Sequence, residues 1–118
     1  MSATIAFSGT IKATENGVTI DLVPAISKTI SAAEKSAFTL SVADGATDSA
    51  VSFGSIASAK MIYLEPSGSL TMKLSGGSQA IAIGAGPVLL FSTAGYTALS
   101  LTNASGAAVE VKVVILGA

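Results

Sequence analysis

The fold is decided by the 35-residue segment from Ser75 to Val109, SGGSQAIAIGAGPVLLFSTAGYTALSLTNASGAAV, which contains no charged residue and no His. A segment this apolar could suggest a membrane span, but turn-forming residues interrupt it throughout. Between the interruptions, apolar residues alternate with Ser, Thr and Ala, which is the two-residue period of a β-strand. The segment therefore predicts short strands whose outer faces carry small, uncharged side chains. The interrupting residues are Gly76, Gly77, Gly84, Gly86, Pro87, Gly95 and Gly106.

The same alternation continues on both sides of this segment. About ten short apolar runs follow one another, separated by turn signals at intervals of roughly 8–12 residues, the spacing of an antiparallel sandwich or barrel. Eight strands suffice for a jelly roll. We therefore expect an all-β, antiparallel, jelly-roll-like sandwich in a single domain over residues 1–118, with residues 1–23 as an N-terminal hairpin or arm.

Three local signals divide the N-terminal part of this pattern. Asn16-Gly17 predicts a hairpin turn, because both residues tolerate positive φ. Pro24 is expected to end the return strand, since it has no N–H for a ladder. Ser31-Ala32-Ala33-Glu34 fits a capping box. Because its pattern fails within two turns, we expect at most one short helical turn near residues 31–36, or a plain loop.

The composition predicts surfaces that are covered by a neighbour. Only 11% of the residues are charged, against about 25% in typical soluble domains, and mean hydropathy is +0.71. A folded monomer of 11.5 kDa would expose roughly 5,800 Å². The few charges cannot cover that area, and Ser and Thr do little to prevent association between sheets. We expect a homo-oligomer or a docked subunit.

Several function classes are disfavoured by residue types that the chain lacks. There is no His and no Cys, which removes the usual catalytic triads and most zinc sites, so no enzyme, cofactor or metal site is expected. Asp44 and Asp48 could share a Ca²⁺, but a simple polar turn is favoured. All six cationic residues are Lys, which argues against nucleic-acid binding. Residues 80–101 contain three Gly and a Pro, which argues against a membrane span.

Two strands carry apolar residues on both faces and are the candidate interaction surfaces. On the last strand and on the strand near residue 62, apolar side chains share a face with charged ones. In a two-sheet sandwich such strands imply cover, either by a neighbouring subunit or by a loop or arm of the same chain. Tyr96 is the best candidate for an exposed aromatic contact. The predicted interface residues are Ile62, Leu64, Val114, Leu116 and Tyr96.

The second half of the chain resembles a known class of proteins. The run MIYLEPSGSLTMKL at residues 61–74 is followed by a Gly-Gly turn, a short apolar strand and Gly-Pro, and the chain closes with LSLTNASG at residues 99–106 and a Val-rich strand. Over residues 59–118 this resembles the small, His-poor, Ser/Thr/Ala/Gly-rich virion proteins of tailed bacteriophages. No catalytic or binding motif is shared, so no functional residue is carried over.

The resemblance implies a non-enzymatic structural protein of the virion, assembled in the host cytoplasm. Its most concrete form is a capsid decoration (cement) subunit that associates with itself, for example as a trimer, and docks on the major capsid protein. A tail or baseplate component is the nearest alternative. An adhesin-like module that binds glycan is a further alternative from another class, for which the sequence offers only Tyr96, Asn103, Gln79 and Asn16.

Overall fold

The computed structural model describes residues 3–32 and 34–117, and over them the chain forms ten strands and no helix. The strands are β1 (Ala3–Glu15), β2 (Val18–Ala32), β3 (Glu34–Val42), β4 (Ser49–Ala50), β5 (Ala59–Pro66), β6 (Leu70–Leu74), β7 (Ile81–Ile83), β8 (Val88–Tyr96), β9 (Leu99–Thr102) and β10 (Val109–Gly117).

The last eight strands pair in a nested order. β3 pairs with β10, β4 with β9, β5 with β8 and β6 with β7, all antiparallel. Two further antiparallel pairs, β10 with β5 and β9 with β6, complete two four-stranded sheets. Sheet I has the order β3-β10-β5-β8 and sheet II the order β4-β9-β6-β7, so every connection from β3 onward except β6–β7 changes sheet. The predicted all-β, antiparallel fold class is confirmed.

The two sheets pack against each other through one apolar core. Along β10 every second residue from Val109 to Ile115 is buried, and the charged residues Glu110 and Lys112 between them are exposed. This alternation is what a strand with one wet face requires. Burying each such aliphatic side chain contributes about 1.5–3 kcal/mol. Sheet II supplies the facing side chains Leu70, Met72, Leu99 and Leu101.

The N-terminal hairpin is longer than the sequence predicts. Asn16 and Gly17 have φ values of 51° and 78°, and Glu15 pairs with Val18, which confirms the predicted two-residue turn. The expectation that Pro24 ends the return strand is wrong, because β2 runs on to Ala32. Pro24 lies inside the first of two register irregularities in the pairing with β1, between Ile26 and Val23, and has no ladder partner there. A bulge accommodates a residue that cannot donate a hydrogen bond. The predicted hairpin of residues 1–23 therefore becomes an arm over residues 3–32.

At most one helical turn was expected near residues 31–36, and the described residues there form strands, so neither a helical turn nor the alternative plain loop is present in them. Ser31 pairs with Thr4 inside the hairpin, whereas Glu34 pairs with Gly117 and begins β3. The Glu34 carboxylate accepts a hydrogen bond from the Ser55 hydroxyl instead of closing a capping box. A single isolated helical turn is unfavourable, and a nine-residue ladder with β10 satisfies more backbone groups, so the strand is preferred.

An irregularity at the start of β5 sets the direction of its side chains. The pairing of β5 with both neighbouring strands is irregular between Ala59 and Met61. Gly95 on β8 and Gly117 on β10 allow this close approach, since a Cβ at either position would collide with Ser58. Gly95 also has a φ of 85°, which residues with a side chain rarely adopt. The bulge interrupts the alternation of side-chain directions at Lys60. The position of Lys60 in the sequence therefore does not predict which face of sheet I Ile62 occupies.

Candidate interaction surface

The outer face of sheet I carries a continuous group of apolar side chains. Register pairs place its members next to one another in two rows, one running Leu116–Met61–Phe91 and the other Ala37–Val114–Tyr63–Leu89. Residues directly opposite each other on neighbouring strands lie on the same face. We call these seven residues the apolar outer face.

Most of the apolar outer face is accessible in the isolated chain. Leu89 is 37% exposed, and Met61, Tyr63 and Val114 are half-buried. Leu116 is only 9% exposed. It lies at the end of β10 beside the base of the arm, where β2 contacts β10. The remaining side chains present apolar surface to solvent, which in a soluble protein indicates a contact site.

Charged residues border the apolar outer face. Lys112 pairs in register with Glu65 one row beyond Tyr63, and Lys35 pairs with Leu116 at the other end. The Tyr63 hydroxyl donates a hydrogen bond of 3.0 Å to Glu65 Oε2. This hydrogen bond raises the pKa of Tyr63 above its ordinary value, with smaller contributions from desolvation and from the nearby negative charge. An apolar centre with a polar rim is the usual anatomy of a protein interface.

Two of the five predicted interface residues are fully buried core residues and do not lie on this surface. Ile62 and Leu64 are fully buried between the sheets, opposite Ile115 and Val113, so the expectation that they form an outer contact is wrong. Because β5 is apolar on both faces, its sequence pattern did not distinguish the inner face from the outer one.

The other three predicted residues have different positions. Val114 lies on the apolar outer face, and Leu116 lies on the same face but is covered there. Tyr96 is half-buried and packs against the core. Sequence reasoning missed Met61, Tyr63, Leu89 and Phe91, because only the pairing of β5 with β8 and β10 brings them together.

Sheet II has a different outer face. Its outward positions carry small and hydroxyl-bearing residues, including the register pairs Thr71–Thr102 and Lys73–Ser100. Lys73 Nζ lies 3.0 Å from Asp48 Oδ1, a partly exposed ion pair that contributes little to stability. Water hydrates the hydroxyl and charged groups of this face well. The two outer faces therefore differ in kind, and sheet I carries the apolar one.

A shallow groove of about 440 Å³ lies beside the hairpin of β6 and β7 and the loop after β9. None of its lining residues is aromatic or charged, so the groove offers hydroxyl groups and backbone without a stacking platform. Its lining residues are Ser69, Leu70, Thr71, Ala82, Ile83, Gly84, Thr102, Ala104 and Ser105.

Asn103 holds the loop next to this groove and is itself buried, with 1% exposure. Its side-chain Nδ2 donates to the carbonyls of Val42 at 2.9 Å and Ala107 at 2.7 Å. Its Oδ1 accepts from the backbone N–H of Ser105 at 3.0 Å and from the Ser105 hydroxyl at 2.7 Å. With all its polar atoms engaged, Asn103 joins the β9–β10 loop to β3. It is therefore not available as the glycan contact that the sequence suggested.

The acidic residues that the sequence analysis considered for Ca²⁺ are occupied by other partners. Asp44 Oδ1 accepts from the N–H of Gly106 at 3.1 Å, and Asp48 contacts Lys73 and Thr102. Over residues 3–32 and 34–117, no three acidic residues come together to hold a metal ion. That same part of the chain contains no helix long and apolar enough to cross a membrane.

Comparison with known proteins adds nothing to these observations, because no protein family, characterised protein or solved structure matches this chain.

Proposed function

We propose that this chain is a non-enzymatic structural subunit of a bacteriophage virion, which associates with itself through the apolar outer face. The observation that carries the proposal is the contrast between the two outer faces. Sheet II presents Ser, Thr and Lys, whereas sheet I presents Leu89, Val114, Met61 and Tyr63 with their apolar surface accessible. Covering this surface would remove apolar area from water, at roughly 25 cal/mol per Å².

The strand order supports the same proposal. Strands that pair first with last, in two sheets of order β3-β10-β5-β8 and β4-β9-β6-β7, have the arrangement expected of a long hairpin rolled into two Greek keys. We infer that the sandwich is a jelly roll. Jelly rolls are common in viral capsid proteins and in lectins, so the topology favours both the virion proposal and its glycan-binding alternative. A fold alone does not define a function.

Capsid decoration is the most specific form of the proposal. A subunit that binds only the assembled shell stabilises it by mass action, so no catalytic group is needed. The binding surfaces would be flat, neutral sheets that exclude water, which the composition of this chain favours. A tail or baseplate component would use the same surfaces, and co-sedimentation with bare phage heads that saturates at a fixed copy number would favour decoration over that rival.

The central test is the mass of the protein in solution, by light scattering after size exclusion. We expect an oligomer at micromolar concentration. Leu89→Lys places a charge in the apolar outer face and should shift the protein toward the monomer. Ala82→Lys introduces the same charge at an exposed position on the outer face of sheet II and should leave the mass unchanged. A wild-type monomer at tens of micromolar would refute self-association.

Glycan binding is the second candidate, and the hydroxyl-lined groove is the observation that favours it. Sugar sites in β-sandwiches need stacking or convergent amides, and this groove has neither. Binding on a glycan array that disappears in Thr71→Ala, which removes a hydroxyl from the groove, with the fold intact by circular dichroism, would favour this candidate over the structural one.

A further inference from the structure

The N-terminal arm, formed by β1 and β2, is a two-stranded sheet that pairs with neither four-stranded sheet. Its strands are 13 and 15 residues long. An isolated two-stranded hairpin is marginally stable at best in water and needs a third strand or an apolar surface to pack on. The arm therefore requires a partner surface.

The register of the arm separates apolar from polar positions. In the register, the pairs Ile5–Ile30, Phe7–Lys28, Gly9–Ile26, Ile11–Val23 and Ala13–Ile20 alternate with the pairs Thr4–Ser31, Ala6–Thr29, Ser8–Ser27, Lys12–Asp21 and Thr14–Thr19. The hydroxyls of Thr14 and Thr19 lie 2.9 Å apart, in hydrogen-bonding distance on the polar face. At the tip, Val18 pairs with Glu15 and is 60% exposed. The register thus places most apolar positions of the arm in one series, which we call its apolar face and which Lys28 alone interrupts between Ile5 and Ala13.

The surface area of the isolated chain indicates how much remains uncovered. The chain exposes 6847 Å², about 1,000 Å² more than the roughly 5,800 Å² expected for a compact monomer of its mass. Its radius of gyration of 15.7 Å also exceeds the roughly 13.5 Å expected for 118 residues. A stable protein interface buries about 800 Å² on each partner. The surplus is therefore about what one such interface would remove.

We infer that the arm of one copy lies with its apolar face on the apolar outer face of sheet I in a second copy. This inference rests on the proposed function and specifies its interface. The arm of the same chain does not serve as the cover, because Leu89, Met61, Tyr63 and Val114 remain accessible with the whole chain in place. Repeating the contact around a symmetry axis closes a dimer or a small ring.

The absence of Cys from the sequence allows a direct test by cross-linking. Full-length Val18→Cys, with an affinity tag, is co-expressed with untagged Leu89→Cys and treated with a short bis-maleimide. Both positions are exposed, so the substitutions should not disturb folding. We expect the mixed pair to form on the order of 10²-fold faster than by random collision, because a held contact raises the effective concentration from about ten micromolar to about one millimolar.

Two matched pairs serve as controls. Ala104→Cys replaces Val18 by an exposed position on the loop after β9, away from the arm, and Ala82→Cys replaces Leu89 by a position on sheet II. Each control cysteine is combined with the cysteine of the original pair that it does not replace, and the two should cross-link at the rate of random collision. An oligomer in which all three pairs react equally would overturn the arm contact and leave self-association standing. A monomer by light scattering would overturn both.

Discussion

Replacing Asn103 by Ala should destabilise the fold without touching either outer face. The substitution removes the donor to the buried carbonyl of Val42 and the acceptor for the N–H of Ser105. An unsatisfied buried polar group costs about 1–3 kcal/mol, and a lost part-buried hydrogen bond about 0.5–1.5 kcal/mol. The free energy of unfolding should therefore fall by about 2–4 kcal/mol. A domain of this size has about 6–18 kcal/mol of stability, so the variant should still fold.

Equilibrium urea unfolding followed by circular dichroism measures this change. With a slope of about 1–3 kcal/mol/M, the midpoint should fall by about 1–2 M while the slope stays the same. Ser105→Ala is the control, because it removes one hydroxyl from an exposed residue and leaves the Asn103 amide bonded to Val42. If Asn103→Ala costs no more than Ser105→Ala, the buried amide does not hold the loop and this reasoning is refuted.

Three further predictions concern the core, the bulge and the rim of the apolar outer face. Gly106→Ala should lower the free energy of unfolding by about 1 kcal/mol, because Gly106 has a positive φ. Gly95→Ala should lower it by about 1–3 kcal/mol more, because a Cβ at Gly95 would also collide with Ser58. Equal losses for the two variants would contradict the close approach of Gly95 to Ser58. Leu64→Ala should lower the free energy of unfolding by about 2–5 kcal/mol, as a core residue does. Glu65→Gln should lower the pKa of Tyr63 toward 10.0 in an ultraviolet titration; an unchanged curve would exclude that hydrogen bond.

The raised pKa of Tyr63 also determines the direction in which the free energy of unfolding changes with pH. Because the pKa is higher in the folded chain, the hydrogen bond from Tyr63 to Glu65 stabilises the fold below pH 10.0 and is lost as the pH rises through the folded value. As the pH rises from 10.0 through the folded pKa, the free energy of unfolding should therefore fall more in the wild type than in Glu65→Gln, which lacks the raised pKa. Tyr63 lies on a rim open to solvent, so the difference in stability at neutral pH should be small.

Local sequence signals were reliable where the backbone alone decides the outcome. Asn16-Gly17 forms the predicted hairpin turn because few other residues accept positive φ at both positions. The expectations drawn from Pro24 and from the Ser31–Glu34 capping box did not hold, because in each case backbone hydrogen bonding between paired strands competes with the locally favoured structure. A bulge around Pro24 and the pairing of Glu34 with Gly117 satisfy more backbone groups than a strand end or a helical turn would.

The candidate surface was only partly predictable. The sequence pattern selected β5 and β10 because both are apolar on two faces, and Val114 of β10 lies on the outer face of sheet I. Ile62 and Leu64 were assigned to the wrong side of β5. Asn103 looked like an exposed loop amide but is a buried connection between the β9–β10 loop and β3. Both errors concern which neighbour a side chain meets, and no local pattern contains that information.

The sequence by itself determined that this is a β-protein with many turns, few charges and neither His nor Cys. These properties follow from a period of two residues and from residue chemistry, both of which are local. Only the tertiary structure decided that Ile62 points inward while Tyr63 points outward, and that Met61, Tyr63, Leu89 and Val114 lie together on the outer face of sheet I. An alternating pattern fixes that neighbours point to opposite faces, but strand pairing decides which face is covered.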